Sequence, residues 1–361
     1  MSRPTITAIV TDRWDSASED GWYLRQVAGA LACEGEVHVL CPSVPAGTTA
    51  TDGVFSLRGL GAGSGGPETE RSVEATSARA LGLLESIGPH LLVVGGDSIW
   101  STAVASALQG AGPRVILLPL AQEGDVLGSG ARDALEHSDV VVVATRTEQD
   151  AVFLACSRHD AIRHIGPTVT PDPSVLAEPN PWVGDTGSII VITGDPVAGT
   201  GVSAQLAQLI RLRFPRTPVG IVASDTFSVW HQGRVSEGWA VSKRSDLLRL
   251  VAWAGVVVDL RPGRYLARRT IDAITYGTPV VVPDHGPARE YAADGCGMWF
   301  GDPAELLWAI EAIEDPDVGA SFRRRSLEVA HERFLSTRDF IGAVHAAIGM
   351  EVAPATGPPE E

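Results

Sequence analysis

Residues 255–310 read GVVVDLRPGRYLARRTIDAITYGTPVVVPDHGPAREYAADGCGMWFGDPAELLWAI, and the fold is decided here. Val256, Val257 and Val258 form the short apolar run expected of a buried strand. From Tyr265 to Tyr276, Leu266, Thr270, Ile271 and Ile274 fall near one helical face. Gly277 then stands where a helix C-terminus wants a residue free to adopt positive φ. Thr278 to Val282 begins the next buried strand. A loop rich in glycine and proline follows, and a helix opens at Asp302 and Pro303, with the aspartate as cap and proline in the first turn. Strand, helix, strand, loop and helix make one unit of a parallel sheet. Ligands of such sheets bind outside the carboxyl ends of the strands.

The stretch resembles the nucleotide-sugar half of glycosyltransferases with the GT-B fold, and within them retaining family 4. That family runs E-x7-E-A-x-x-x-G-x-P-V-V, then G-x-x-E, a G-x-G and D-P-x-x-L-x-x-A-I. Here Asp272, Ala273, Gly277, Pro279, Val280, Val281, Glu290, Gly295, Gly297, Asp302, Pro303, Leu306, Ala309 and Ile310 fall in place. The first Glu of E-x7-E falls on Arg264 and the second on Asp272. The resemblance implies an α/β protein with two Rossmann-like domains facing across a cleft. Arg264, Asp272 and Glu290 are then the candidate catalytic residues, with Arg264 and Asp272 about two helical turns apart and pointing into the cleft.

Composition agrees with a protein of that size. The 361 residues give room for two domains, and 44% hydrophobic with 20% charged residues describes a globular chain. A net charge of −16 argues against a nucleic-acid binder, which would show a basic face. The sole lysine is Lys243. Cys33, Cys41, Cys156 and Cys296 form no C-x-x-C pair and suggest free buried thiols in a reducing cytosol. The apolar segment near the N-terminus is too short for a secretion signal, and no run is long enough to span a bilayer. The expected location is cytoplasmic.

Read in order, the chain alternates strands and helices, as parallel sheets require. Ile6–Val10, a helix around Trp22–Ala32 and Val37–Leu40 make the opening βαβ unit. Pro45 to Pro67 reads as surface connections. Helices are expected over Arg71–Ser86, Ser101–Leu108, Gly128–Glu136 and Glu148–Cys156, and strands over Leu91–Val94, Val115–Leu118 and Val140–Val143. Ile165, Gly166 and Pro167 resemble the short strand that closes the family's first domain. Thr170 to Asp185 holds four prolines and reads as the linker. The second domain starts at Ser188–Thr193, continues through a helix at Val202–Phe214 and a strand at Val219–Ala223, and has a further strand at Ser236–Val241. The expected division is 1–172 (acceptor domain), 186–335 (donor domain), 336–350 (a helix crossing back to the first domain) and 351–361, a tail too rich in Pro, Gly and Glu to fold.

The second motif spans Thr193 to Val202, TGDPVAGTGV. In the resembling family this place reads G-R-x4-K-G-V, and its Arg and Lys clamp the donor diphosphate. Gly194, Gly201 and Val202 fix the register, so Asp195 and Thr200 replace the clamp. Gly194, Asp195, Thr200 and Gly201, with His285 and Gly286 in the later loop, are the candidate donor-binding residues. The rival P-loop needs a Lys after its second Gly, where Thr200 stands. A plain strand-to-helix turn is the remaining alternative. Each charge-assisted hydrogen bond lost with the clamp is worth about 1.5–3 kcal/mol. Asp195 near a diphosphate adds repulsion of about 4 kcal/mol at an effective dielectric near 20. Arg264, Arg268 and Arg269 are the candidate replacements, the alternative for Arg268 and Arg269 being the solvated outer face of their helix.

On the acceptor side the family has a Gly-Gly loop before the first helix. Here the pair is Asp20 and Gly21, and Gly21 also reads as an ordinary turn glycine. The family's first-domain histidine would follow Val115–Leu118, where Pro119, Leu120 and Ala121 stand instead. Glu123 and Asp125 are nearby loop acids. No H-E-x-x-H, Cys/His cluster or EF-hand loop occurs, so no metal and no cofactor is expected. Asp315-Pro316-Asp317 reads as a turn rather than a metal-binding D-x-D. No G-x-S-x-G elbow supports a hydrolase. Three functions stay open. The first is a metal-independent glycosyltransferase (hexosyltransferase class) that takes a nucleotide-sugar donor and an unknown acceptor. The second is a catalytically inactive GT-B protein acting as a binding or regulatory partner. The third is another sugar-nucleotide enzyme, such as an epimerase.

Overall fold

The computed structural model describes residues 5–11, 14, 19–61, 70–95, 99–110, 112–119, 129–169, 171–177, 188–193, 202–223, 226–231, 234–240, 244–260 and 267–349. The first half runs β1 (Thr5–Thr11), α1 (Glu19–Ala32), β2 (Gly35–Cys41), β3 (Thr49–Asp52), β4 (Phe55–Gly59), α2 (Glu70–Ile87), β5 (Leu91–Gly95), α3 (Ile99–Leu108), β6 (Arg114–Leu118), α4 (Ser129–His137), β7 (Val140–Val143), α5 (Arg146–Ala155), β8 (Ile162–His164) and α6 (Ser174–Ala177). The second runs β9 (Ile189–Thr193), α7 (Val202–Arg213), β10 (Val219–Ala223), β11 (Thr226–His231), β12 (Arg234–Ala240), α8 (Arg244–Ala252), β13 (Val256–Asp259), α9 (Arg268–Thr275), β14 (Val280–Pro283), α10 (Pro287–Tyr291), β15 (Gly297–Phe300), α11 (Pro303–Glu314), α12 (Pro316–Arg333) and α13 (Thr337–Ile348).

Two separate sheets result, ordered β3-β4-β2-β1-β5-β6-β7-β8 and β12-β11-β10-β9-β13-β14-β15. The first is parallel except for the β3–β4 hairpin. The second is parallel except for β11 and β12. Both faces of each sheet are covered, so their inner strands are continuous apolar runs. In β1, Ile9 packs into one core while Ala8 and Val10 enter the other. In β9, Ile190 and Ile192 share the first core, and Ile189 and Val191 face a third. The strand order reverses between β1 and β5, and again between β9 and β13. Ligands of parallel sheets bind beyond the carboxyl ends of the strands at such a reversal, which here means the ends of β9 and β13.

The halves are joined by packing as well as by chain. Phe340, Ile341, Val344 and Ile348 of α13 are buried in the same core as Tyr23, Leu24 and Val27 of α1. His345 Nε2 lies 3.2 Å from Glu34 Oε2 beside them. Gly349 closes α13 in the left-handed conformation, φ 69°. Among the described residues no helix is long and apolar enough to cross a membrane.

Several local expectations need correction. The connection expected over Pro45–Pro67 contains β3 and β4, because β4 is recruited by pairing in parallel with β2 rather than by an apolar run of its own. The closing strand is β8, which ends at His164, immediately before Ile165-Gly166-Pro167. Those residues instead meet the chain after α12: Leu335 N–H donates to Pro167 O at 3.0 Å, and a Cβ on Gly166 would lie 2.3 Å from Arg333 O. β11 adds an antiparallel strand beside the one expected near Ser236. Asp315 is more than a turn residue: its carboxylate caps α12, accepting from Asp317 and Val318 N–H. None of the four cysteines is in a disulfide, and Cys33 is exposed while the other three are buried.

Candidate functional site

β9 and β13 pair in parallel and end side by side at the second strand reversal. Thr193 and Asp259, their last residues, are both buried, and the Thr270 hydroxyl donates to Asp259 Oδ2 at 3.5 Å. Asp259 ends the VVVD strand, and an acid closing an apolar strand at a sheet reversal was a usable signal that the sequence reading passed over. The helix that follows β13 is α9. All of Arg268 to Ile274 is buried.

Arg268 and Arg269 are therefore not on a solvated face: they are 1% and 8% exposed. Arg268 Nε lies 3.8 Å and Arg269 Nη1 3.6 Å from Asp272 Oδ2, and Asp272 is itself 1% exposed. The correction has a geometric cause. Residues three and four apart share a helix face, so the face that carries Asp272 also carries both arginines. That face is inward because α9 packs against α8 and α12. Arg264, Gly194, Asp195, Thr200 and Gly201 lie outside the described residues, as do Glu123 and Asp125.

The loop after β14 delivers the other candidates. His285 is exposed. Gly286 has φ 78° and ψ 178°, a conformation open to glycine alone, and Pro287 starts α10 immediately after it. This sharp entry aims Glu290 at the first domain. Its Oε1 accepts from Thr147 N–H and from the Thr147 hydroxyl, both at 2.5 Å, and its Oε2 accepts from Arg146 N–H at 3.1 Å.

Those amides belong to the first turn of α5, whose orphan donors are fully accounted for. Thr145 is the N-cap, and its hydroxyl takes Glu148 N–H at 3.2 Å. The Glu148 carboxylate takes Thr145 N–H at 3.0 Å and Ala144 N–H at 2.6 Å. The helix thus begins at Arg146, earlier than expected, on a T-x-x-E capping box that the sequence displays at 145–148. The remaining first-turn amides are supplied with an acceptor by the other domain. α5 follows β7 and α10 follows β14, so the carboxyl edges of the two sheets face each other here. Burial, then the nearby Glu148 charge, raises the Tyr23 phenol above its ordinary range. Burial, followed by Glu148 and Glu290, does the same to Tyr291. Both phenols stay protonated in this seam. Gly21, read as an acceptor-side turn glycine, is buried inside α1, which starts at Glu19. Among the described residues no three His, Cys, Asp or Glu side chains gather as a metal site.

Sucrose-phosphate synthase from Thermosynechococcus elongatus matches this chain with a TM-score of 0.70 at 14% identity, over 96% of this chain and 99% of its own. Anabaena HepE, in complex with UDP and glucose, matches with a TM-score of 0.66 at 14% identity, over 96% and 99%. The fold is that of the GT-B glycosyltransferases. A putative UDP-N-acetylglucosamine 2-epimerase from Listeria monocytogenes has the same GT-B arrangement, with a TM-score of 0.64 at 13% identity over 98% of this chain and 99% of its own. No protein-family model and no curated protein sequence matches the chain. Arg268, Arg269 and Asp272 cluster at the start of α9, the helix that follows β13, and Glu290 bonds across to the first turn of α5 in the other domain.

Proposed function

We propose that the protein transfers a sugar from a nucleotide-activated donor to an acceptor, with the donor in the crevice at the carboxyl ends of β9 and β13. The observation that carries this reading is the buried pair Arg268 and Arg269 at the start of α9, at the strand reversal of a GT-B domain. Guanidinium groups match phosphate oxygens in charge and in fork geometry. On this reading the pair supplies the positive field for the diphosphate, and Asp272 positions both guanidiniums. Residues 186–335 form the donor domain, and residues 1–172, with Gly21 on α1, the acceptor domain. Glu290 holds the domains together. The reaction uses no metal: the arginines stabilise the departing diphosphate, as a cation does in electrostatic catalysis.

Calorimetry with UDP, GDP and ADP, followed by nucleotide release from the corresponding glucose donors, tests the proposal. One diphosphate should bind in the micromolar range, and Arg269→Gln should weaken it by about tenfold or more. Silence across all three would favour the second reading, a GT-B protein that binds a partner without catalysis. That reading draws on Asp195 and Thr200, which replace the family's clamp. Epimerised nucleotide sugar with no transfer would favour the third.

A further inference from the structure

We propose that the first domain carries a separate site for a phosphoryl anion, in the groove between the β3–β4 hairpin and α2. The groove encloses about 370 Å³ and is lined by Arg58, Arg79, Thr48, Thr49, Gly47 and Gly82, among others, and among the described residues none in its wall is acidic. That is unusual for a chain with 44 Asp and Glu against 28 Lys and Arg. Several other surface arginines are paired with carboxylates: Arg114 with Asp139, Arg213 with Glu311, Arg325 with Glu332 and Arg333 with Asp294. Among the described residues neither Arg58 nor Arg79 has a carboxylate partner.

Both side chains are nevertheless held. Arg58 Nη1 donates to the Thr49 hydroxyl at 3.2 Å, and Arg58 Nε is buried without a hydrogen-bond partner. Arg79 Nη1 donates to Leu60 O at 2.5 Å and Gly61 O at 3.3 Å, which fixes the guanidinium and leaves its other nitrogens for a ligand. Two anchored guanidiniums of fixed positive charge present the donors that a phosphoryl group accepts. The threonine hydroxyls add neutral donors. Gly82 borders open space, since a Cβ there meets nothing within 4 Å. Thr49 pairs with Arg58 at the carboxyl end of β4, so the groove lies on the outer part of the sheet edge that faces the cleft. The site is independent of the donor reading.

The test is calorimetry on the full chain with two probes, orthophosphate and glucose 6-phosphate, at fixed low salt and with saturating UDP present to occupy any donor site. Binding of orthophosphate identifies free phosphate as sufficient. Binding of glucose 6-phosphate alone identifies a larger phosphorylated molecule. Arg58→Gln should weaken whichever binds by about tenfold, the effect of one charge-assisted hydrogen bond. Gly82→Glu, which fills open space on a helix surface with a negative charge, should abolish binding. Gly82→Ala should leave it intact. Far-UV circular dichroism on each variant separates loss of the site from loss of the fold. The proposal is overturned if neither probe binds through the millimolar range, or if Gly82→Glu and Arg58→Gln bind as the native chain does.

Discussion

Replacing Glu290 with alanine should release the first turn of α5. The amides of Arg146 and Thr147 are the first two of that helix and have no intrahelical acceptor. The structure gives them one partner, Glu290, at 3.1 and 2.5 Å, and the same carboxylate takes the Thr147 hydroxyl at 2.5 Å. A hydrogen bond to a charged group contributes about 1.5–3 kcal/mol. Three such bonds share one half-buried carboxylate, and water re-solvates the freed amides, so the net loss is nearer one bond than three, about 2 kcal/mol. That corresponds to roughly a 30-fold change in a local opening equilibrium. Hydrogen exchange followed by mass spectrometry reads it directly. Peptides spanning 144–150 should lose protection by that factor in Glu290→Ala, whereas the C-terminal turn of α5 should keep its own. Glu290→Gln, which retains acceptor oxygen but no charge, should fall between. Unchanged protection at Arg146 and Thr147 would show that these amides are satisfied within the first domain, and the interdomain bond would carry no energy.

Asp272→Asn should cost about 3 kcal/mol, as breaking a buried ion pair does, because it removes the charge between Arg268 and Arg269; a denaturant midpoint equal to the native one would contradict this. The double change Asp195→Arg with Thr200→Lys should tighten nucleotide diphosphate binding, since it adds two donors and removes one repulsion. Calorimetry on both proteins checks it, and low-micromolar binding by the native chain that weakens on the double change would reverse the argument. At neutral pH iodoacetamide should label exposed Cys33 and spare Cys296, whose thiol burial pushes up to about 12; mass spectrometry of the peptides decides, and early Cys296 adducts would mean that its pocket opens.

The parts of the fold that the sequence displays are those where local pattern and tertiary role coincide. Val256–Val258, Gly277 with φ 75°, Val280–Val282 and the Asp302 cap, which accepts from Ala304 and Glu305 N–H, each announce themselves through apolar runs or turn chemistry. β3 and β4 do not, because these outer strands draw their order from the neighbours they pair with. The burial of Arg268 and Arg269 was hidden for a related reason. Charges on a helix normally mark its wet face, and only the surrounding α8 and α12 make this face an interior one. Glu290 was legible as a polar residue of interest, but its partners lie 143 and 144 positions away in the chain. No spacing rule reaches that far. The capping box at 145–148 was the one clue that α5 started early enough to meet it.

The charge changes around the crevice are best understood together. A donor diphosphate can be clamped from either lip: from the loop after β9 or from the segment after β13. The resembling family places its Arg and Lys on the first lip. Here that lip carries Asp195 and Thr200, while the second reads RPGRYLARR, with Arg261, Arg264, Arg268 and Arg269 inside nine residues. A negative charge in place of the positive one at the first lip would itself repel phosphate by about 4 kcal/mol at 4 Å and an effective dielectric near 20, besides removing the original attraction. The same Coulomb term favours it beside guanidiniums at the second lip, and burial of Arg268 and Arg269 reduces solvent screening of that attraction. On the proposed donor reading, the diphosphate therefore shifts toward α9. Asp272 then has a role different from that of the family's second Glu. Held by two arginines, it orients their forks toward the phosphate instead of reaching the ribose, so its loss should weaken nucleotide diphosphates far more than the corresponding nucleosides.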